Sequence, residues 1–254
     1  MFDSGIVSEK MFSICLGKNG GFMQIGGFNT DQHLEGVKWF KMKQSSGTSY
    51  KLKLSGVAIN KHFIDGSADW STGFIDSGTT FTYLPPKMWD QLMLHFDYFC
   101  EETKSLPNSG SYCPGERFLT KSQGETVTCF RFDKNIWGNK RKEFLMGYPI
   151  INFYALDANG VKQTFRWYPS EYLFLHSDGH KYCLAADQNT NSHEVLFGST
   201  LMRQNNIIFD ISNKMIGMAR ATCNDESTMI LSEQEYLEYG NSFGLDQPEQ
   251  VLND

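Results

Sequence analysis

Short apolar runs recur at regular intervals along this 254-residue chain, most of them bounded by Gly, Asn, Asp or Ser. They fall at 11–16, 22–25, 37–42, 50–59, 72–75, 126–132, 150–156, 161–167, 181–185, 194–197, 206–211 and 214–219. Segments of this length between turn residues predict strands, and so many of them predict a mostly β domain. Residues 11–16 alternate as a strand, Gly17-Lys18-Asn19-Gly20-Gly21 supplies a turn, and 22–25 returns to Gly26-Gly27, which is a hairpin pattern. Helical signals are few. The clearest spans 86–100, with Pro86 in the first turn and Met88, Trp89, Leu92, Met93, Phe96 and Phe99 forming one apolar stripe, read as core packing. A short helix is expected at 199–203 and a turn around 169–173. The expected fold class is therefore all-β with a few short helices. With 40% hydrophobic residues, the chain can bury the core of one large domain or two small ones.

Net charge is −6, but residues 225–254 hold eight acids and no Lys or Arg, which leaves +2 for the preceding 224 residues. Acidity is a property of the tail. Basic clustering is limited to Lys140-Arg141-Lys142, read as solvated surface in a polar loop, so a nucleic-acid partner is not expected. No apolar run reaches 18 residues, and no membrane-spanning helix is expected. Residues 1–5 lack the charged start and apolar core of a signal peptide. The six cysteines include no C-x-x-C pair and no zinc-like spacing, which predicts a disulfide set of open connectivity, since six allow 15 pairings. Oxidised cysteines without a targeting segment predict a chain that begins partway through a longer protein.

The chemistry concentrates at Phe74-Ile75-Asp76-Ser77-Gly78-Thr79-Thr80, followed by Phe81-Thr82-Tyr83-Leu84-Pro85. An apolar pair feeding Asp-Ser-Gly fits a buried strand that delivers one carboxylate to a tight turn. Gly78 lets the backbone come close there, and the hydroxyls can hold the carboxylate. Two facing carboxylates cannot both ionise, so they share a proton and act together as base and acid. This chain carries one such motif. Asp3-Ser4-Gly5 has the same letters without the preceding strand or the following threonines, and it is read as a loop.

These residues resemble the carboxyl-terminal catalytic motif of pepsin-like aspartic proteases, in the disulfide-rich branch that includes memapsins, nepenthesins and plasmepsins. Further segments carry the resemblance. Gly5-Ile6-Val7-Ser8 with Met11-Phe12-Ser13 is similar to the family's lead into its second lobe, and 21–27 to its paired-glycine hairpin. Residues 167–173 resemble its Pro-x-x-Tyr-Leu turn; Leu196-Phe197-Gly198, 207–210 and 214–217 resemble its closing strands. Ser199 stands where many members have Asp, as the disulfide-rich branch tolerates. The resemblance covers residues 1 to about 224, implying a carboxyl-terminal lobe there; beyond Cys223 the apolar pattern fades, so 225–254 is read as an acidic, mobile tail with a brief acidic helix expected at 232–239.

The resemblance implies an aspartic-type endopeptidase acting on polypeptide substrates. Asp76 would be one of two catalytic aspartates. Ser77 would brace the two lobes, the Gly78 N–H and the Thr79 hydroxyl would hold the carboxylate, and Thr79 and Thr80 would contact substrate backbone. It implies the pairs Cys15–Cys223, Cys129–Cys183 and Cys100–Cys113, neither cofactor nor metal, and a secretory, extracellular or acidic vacuolar location. The family's first Asp-Thr-Gly lies in an amino-terminal lobe that is not found here, so activity would need that lobe or a second copy. A non-catalytic binding or inhibitor module on the same fold is the alternative. His176 and His180 flank a Ser-Asp-Gly turn but lack a third ligand and are read as exposed-loop histidines; His95 is read as packed or half-exposed on its helix.

Overall fold

The computed structural model describes residues 3–43, 49–59, 62–65, 70–102, 113–122, 125–190 and 193–224, together with 230, 234, 235 and 238. In chain order the first strands are β1 (Met11–Leu16), β2 (Gly21–Ile25), β3 (Lys38–Lys41), β4 (Lys51–Ile59), β5 (His62–Asp65), β6 (Thr72–Ile75) and β7 (Thr82–Leu84). Helix α1 (Pro86–Glu102) follows, then β8 (Arg117–Ser122), β9 (Glu125–Arg131), α2 (Lys134–Trp137) and α3 (Arg141–Met146). The remainder is β10 (Ile151–Leu156), β11 (Lys162–Trp167), α4 (Pro169–Tyr172), β12 (Leu173–Leu175), β13 (Lys181–Leu184), β14 (Ala186–Gln188), β15 (Val195–Phe197), α5 (Ser199–Met202), β16 (Asn205–Asp210) and β17 (Met215–Arg220).

Three sheets result. One has the order β2-β1-β16-β17-β3 and joins strands from the beginning of the chain to β16 and β17, the last strands among the described residues. The central sheet runs β11-β10-β4-β6-β15-β7-β14, with β5 added on β4, and the third runs β12-β13-β9-β8. The fold is mostly β with short helices, as the spacing of apolar runs predicts. The first hairpin pairs Leu16 with Gly21, and the Gly17 N–H closes its turn on the Gly20 carbonyl at 2.8 Å. Gly21 is required there: at φ +154° a Cβ would stand 2.4 Å from the Cys15 carbonyl oxygen.

The core sits between the central sheet and α1, whose Met88, Leu92, Met93, Phe96 and Phe99 are buried and whose Trp89 is half-buried. Beside them Phe130, Phe132, Phe144, Tyr148 and Tyr172 interlock edge-to-face or tilted, a geometry that adds to the area buried by each ring. Disulfides join Cys15 to Cys223, Cys100 to Cys113 and Cys129 to Cys183, leaving no free cysteine. Cys129 and Cys183 are direct partners across β9 and β13, with Cα atoms 4.0 Å apart. The Cys15–Cys223 bridge spans 208 residues, and on the chain-entropy account such a loop stabilises by roughly 5 kcal/mol.

Two sequence expectations change. Lys140-Arg141-Lys142 is not in a loop throughout: Arg141 and Lys142 begin α3, because Phe144, Leu145 and Met146 bury one side of that turn and hold it helical. Strands β5, β7, β8, β12 and β14 were not foreseen. β5, β7, β12 and β14 have only three or four residues each, and β8 places Phe118 and Leu119 side by side with Leu119 exposed, so apolar alternation does not mark it as a strand. The helix expected at 232–239 and the mobile end at 240–254 lie mostly outside the described residues; Gln234, Glu235 and Glu238 are described, and they are helical.

His95 of α1 stacks on His62 of β5, with ring centroids 4.7 Å apart and planes within 7°. Its Nδ1 is buried without a hydrogen-bond partner among the described residues. Burial first, and the neighbouring His62 second, hold the His95 pKa below the ordinary 6.5. A base held down in the folded state stabilises the fold above the unfolded value, and that contribution disappears as pH falls through the folded value. His95→Phe keeps a packed ring and removes the charge. Its thermal midpoint is expected to fall less than the parent's between about pH 7.5 and about pH 5, measured by circular dichroism melts at both; equal falls contradict the assignment.

Candidate active site

Asp76 follows the last residue of β6, and its position is set by two strands rather than one. β6 runs parallel to β15, pairing Gly73 with Val195, Phe74 with Leu196 and Ile75 with Phe197. The Asp76 N–H extends that ladder by donating to the Phe197 carbonyl at 3.0 Å. The chain then turns and returns on the other side of β15 as β7, through the antiparallel pair Leu196 and Tyr83, while β7 runs parallel to β14. Asp76 therefore sits where the chain crosses from one side of β15 to the other.

The turn holds the carboxylate from within. Oδ1 accepts the Gly78 N–H at 2.9 Å, Oδ2 accepts the Thr79 hydroxyl at 2.6 Å, and the Thr79 N–H reaches the Asp76 carbonyl at 3.3 Å. Both oxygens thus have short, directional donors, the arrangement that fixes a carboxylate in one rotamer. Among the described residues the carboxylate's partners are that N–H and that hydroxyl, and neither belongs to an acid. Asp76 and Thr79 are half-buried, whereas Ser77, Gly78 and Thr80 are exposed on the same turn. The turn thus presents one carboxylate near the surface and braces it from within.

The start of α5, directly after β15, locks the crossing. Ser199 N–H donates to the Thr79 carbonyl at 2.7 Å, Thr200 N–H to the Thr80 carbonyl at 3.1 Å, and Ser199 Oγ to the same Thr80 oxygen at 3.2 Å. Thr200 is anchored in turn: its hydroxyl donates to the Ala185 carbonyl and its carbonyl accepts the Trp167 indole N–H. Gly198 lies beneath the crossing, where a Cβ would be 2.1 Å from the Phe81 oxygen and 2.8 Å from the Thr79 oxygen. Since both are backbone atoms, no side chain can move aside. Gly198→Ala is expected to cost about 1–3 kcal/mol or more through forced displacement of the Asp76 turn. Denaturant unfolding measures this, and a loss under about 0.5 kcal/mol would contradict it.

Phe197 acts here through its carbonyl and Gly198 through its lack of a side chain, while Thr200 uses both its backbone and its hydroxyl. The Leu196-Phe197-Gly198 signal locates the strand, but only the parallel pairing with β6 reveals that it holds Asp76. Asp3, Ser4 and Gly5 lie in an irregular turn. The turn closes around Asp178: the His176 ring Nδ1 is 3.1 Å from Oδ2, while Oδ1 accepts the backbone N–H of His180 at 2.9 Å. Lys181 Nζ also reaches Oδ2 at 2.9 Å. The His180 N–H foremost, then Lys181, hold the Asp178 carboxyl down at about 2, so this turn keeps its ion pairs well into acid. Among the described residues no group of three or more His, Cys, Asp or Glu could hold a metal ion.

No helix among the described residues is long and apolar enough to cross a membrane. The family model for eukaryotic aspartyl proteases matches residues 1–221. Among curated proteins the chain is 24% identical to "Probable aspartic-type endopeptidase opsB" of Aspergillus fumigatus, over 91% of this chain and 43% of that protein. It is 26% identical to aspartic proteinase 39 of Arabidopsis thaliana, over 85% of this chain and 40% of that one. Plasmepsin V of Plasmodium falciparum is 23% identical, over 66% of this chain and 30% of its own length. The chain thus spans less than half the length of each of these relatives. With the family model matching across all three sheets and the Asp76 turn, the chain belongs to the eukaryotic aspartyl protease family.

Proposed function

We propose that residues 1–224 form the carboxyl-terminal lobe of a two-lobed aspartic endopeptidase, and that Asp76 supplies one of its two catalytic carboxylates. The observation that carries this reading is the braced, half-buried Asp76 carboxylate, which has two internal donors and, among the described residues, no acid as a partner. The second carboxylate comes from an amino-terminal lobe outside this chain. With one proton shared between them, the ionised member takes a proton from water, the resulting oxygen attacks the peptide carbonyl, and the other member protonates the leaving amine. No covalent intermediate with the enzyme forms.

Gly78 and Thr79 are positioning residues that keep the carboxylate aimed at the water. Ser77 is exposed beside it and reaches across to the partner lobe, while Thr79 and Thr80 offer polar groups to an extended substrate backbone. The length of the relatives supports a missing lobe, and the name of the Aspergillus relative, a probable aspartic-type endopeptidase, supports endopeptidase chemistry. Three disulfides support folding in the secretory pathway, with an extracellular or acidic vacuolar destination. The test is acid-pH cleavage of an unstructured protein such as denatured casein by the protein carrying both lobes. Turnover that pepstatin blocks supports the reading. A correctly folded, pro-segment-free protein that cleaves nothing favours a binding module.

A further inference from the structure

We infer that a row of lysines where β3 meets β4, on the face that carries Asp76, docks an acidic stretch of the substrate polypeptide to one side of the bond to be cleaved. The inference rests on the reading of Asp76 as catalytic. The bridge between Met42 and Leu52 sets Lys43 opposite Lys51 and Lys41 opposite Lys53, and the Lys43 N–H donates to the Lys51 carbonyl at 2.7 Å. Leu52 and Leu54 are buried in the core, so the lysines that alternate with them turn outward, and Lys41, Lys43 and Lys53 are exposed. Like charges directly opposite on neighbouring strands destabilise a sheet. Two such pairs are a cost to the fold that an anionic occupant offsets. Glu194 answers Lys51, with both carboxylate oxygens 2.7 Å from Nζ, and Lys43 Nζ donates to the Thr72 hydroxyl. Lys41 and Lys53 have no ion pair among the described residues.

Register places the row beside the Asp76 turn. β4 pairs antiparallel with β6, Lys53 with Thr72 and Lys51 with Phe74. Thr72, Phe74 and Asp76 take alternate positions, so they share the face of the lysines, with half-buried Phe74 between the carboxylate and the row. With strands about 4.8 Å apart and a rise of about 3.3 Å per residue, Lys43 and Lys53 stand roughly 12–14 Å from Asp76 between Cα positions. An extended peptide covers that distance in about four residues. Lys214 is exposed on the adjoining turn, where its carbonyl accepts the Met42 N–H at 2.9 Å, and it widens the positive surface. Each exposed pair with a substrate acid is weak alone, but several on one extended segment steer it to the site. No basic run marks the site in the sequence, because Met42 and Leu52 separate the lysines.

Two assays test it. Fluorescence anisotropy of the full chain, with a peptide carrying a short run of Glu against the same peptide carrying Gln, reads docking without cleavage at about pH 5.5, where carboxylates are ionised. The Glu peptide is expected to bind about ten-fold tighter at low salt, and about 1 M salt removes most of the difference. In the protein carrying both lobes, kcat/KM is compared for paired peptides with Glu or Gln about three to five residues from the cleaved bond, on each side in turn. Acids on one side are expected to raise it, and Lys53→Glu to lower that Glu-to-Gln ratio about five- to ten-fold. Lys53→Glu also sets an opposite charge against Lys41, so its thermal midpoint is expected to equal or exceed the parent's, which a purely structural lysine would not allow. Equal binding of the two peptides overturns the inference. Binding of phosphatidylserine vesicles in place of the peptide also overturns it, by assigning the row to a lipid surface. Glu-peptide binding with equal cleavage of the pair overturns the substrate role and leaves the Asp76 reading standing. Glu-peptide binding with cleavage of neither overturns the Asp76 reading, and the substrate role of the row with it.

Discussion

Asp76→Asn, made in the protein that carries both lobes, is expected to reduce acid-pH peptide cleavage by about 10²–10⁴-fold or more while leaving the fold in place. The amide has the same shape as the carboxylate. Its carbonyl oxygen can still accept the Gly78 N–H, and the Thr79 hydroxyl can rotate to accept from the new NH₂ group. What it cannot do is take a proton from water or share one with a second acid. Asp3→Asn is the matched control, since Asp3-Ser4-Gly5 repeats the letters in an irregular turn; activity there should be unchanged. Cleavage assays on both variants, with thermal midpoints to verify folding, check the pair. An Asp76→Asn protein that retains the parent rate would remove Asp76 from the chemistry.

The largest expected stability effect lies away from the carboxylate. Glu171 of α4 is fully buried, and its Oε1 pairs with the Arg220 guanidinium of β17, while Oε2 accepts the Tyr168 N–H at 3.1 Å. Arg220 also lies over the Tyr168 ring, 3.8 Å from its centroid, and reaches Gln204. This cluster ties the β2-β1-β16-β17-β3 sheet to α4, which packs on α5 and so on the Gly198 crossing. Burial raises the Glu171 pKa, against the pull of Arg220. Glu171→Ala leaves the guanidinium buried without its counter-ion and is expected to cost about 3–5 kcal/mol. For a domain of this size that is about 6–20 °C in thermal midpoint. Replacing both residues with Met should recover most of the loss, because the desolvation of two charges is then avoided. Denaturant and thermal unfolding of the single and double variants decide it; a single variant within about 1 kcal/mol of the parent would show that the pair holds little.

How much of this was legible in the sequence follows from where each signal resides. Strands such as β1, β4 and β10 bury alternate or continuous apolar residues, and that pattern is written locally. The stripe on α1 is local in the same way. Strand β14 has three residues, Ala186-Asp187-Gln188, and exists because β7 lies alongside it; nothing in its own letters predicts pairing. The Asp76 turn announces itself through Phe74-Ile75 before it and the threonines after it, and its internal hydrogen bonds follow from that spacing. The contribution of Phe197 and Ser199 to the same turn is a contact across more than 110 residues, visible only once β6 and β15 are parallel neighbours. Glu171 and Arg220 escaped for the opposite reason: a lone acid in a Pro-Ser-Glu-Tyr turn and a lone arginine at a strand end look like surface charges until the packing buries both. His62 and His95 likewise come together only through the contact of β5 with α1.

Because the proposed chemistry needs a second carboxylate besides Asp76, the most direct measurement is acid-pH hydrolysis by this chain alone, held as a monomer verified by sedimentation. The expected result is no turnover above background, with activity appearing when the amino-terminal lobe is supplied and vanishing again with Asp76→Asn. Hydrolysis by the verified monomer, persisting after Asp76→Asn, would contradict it.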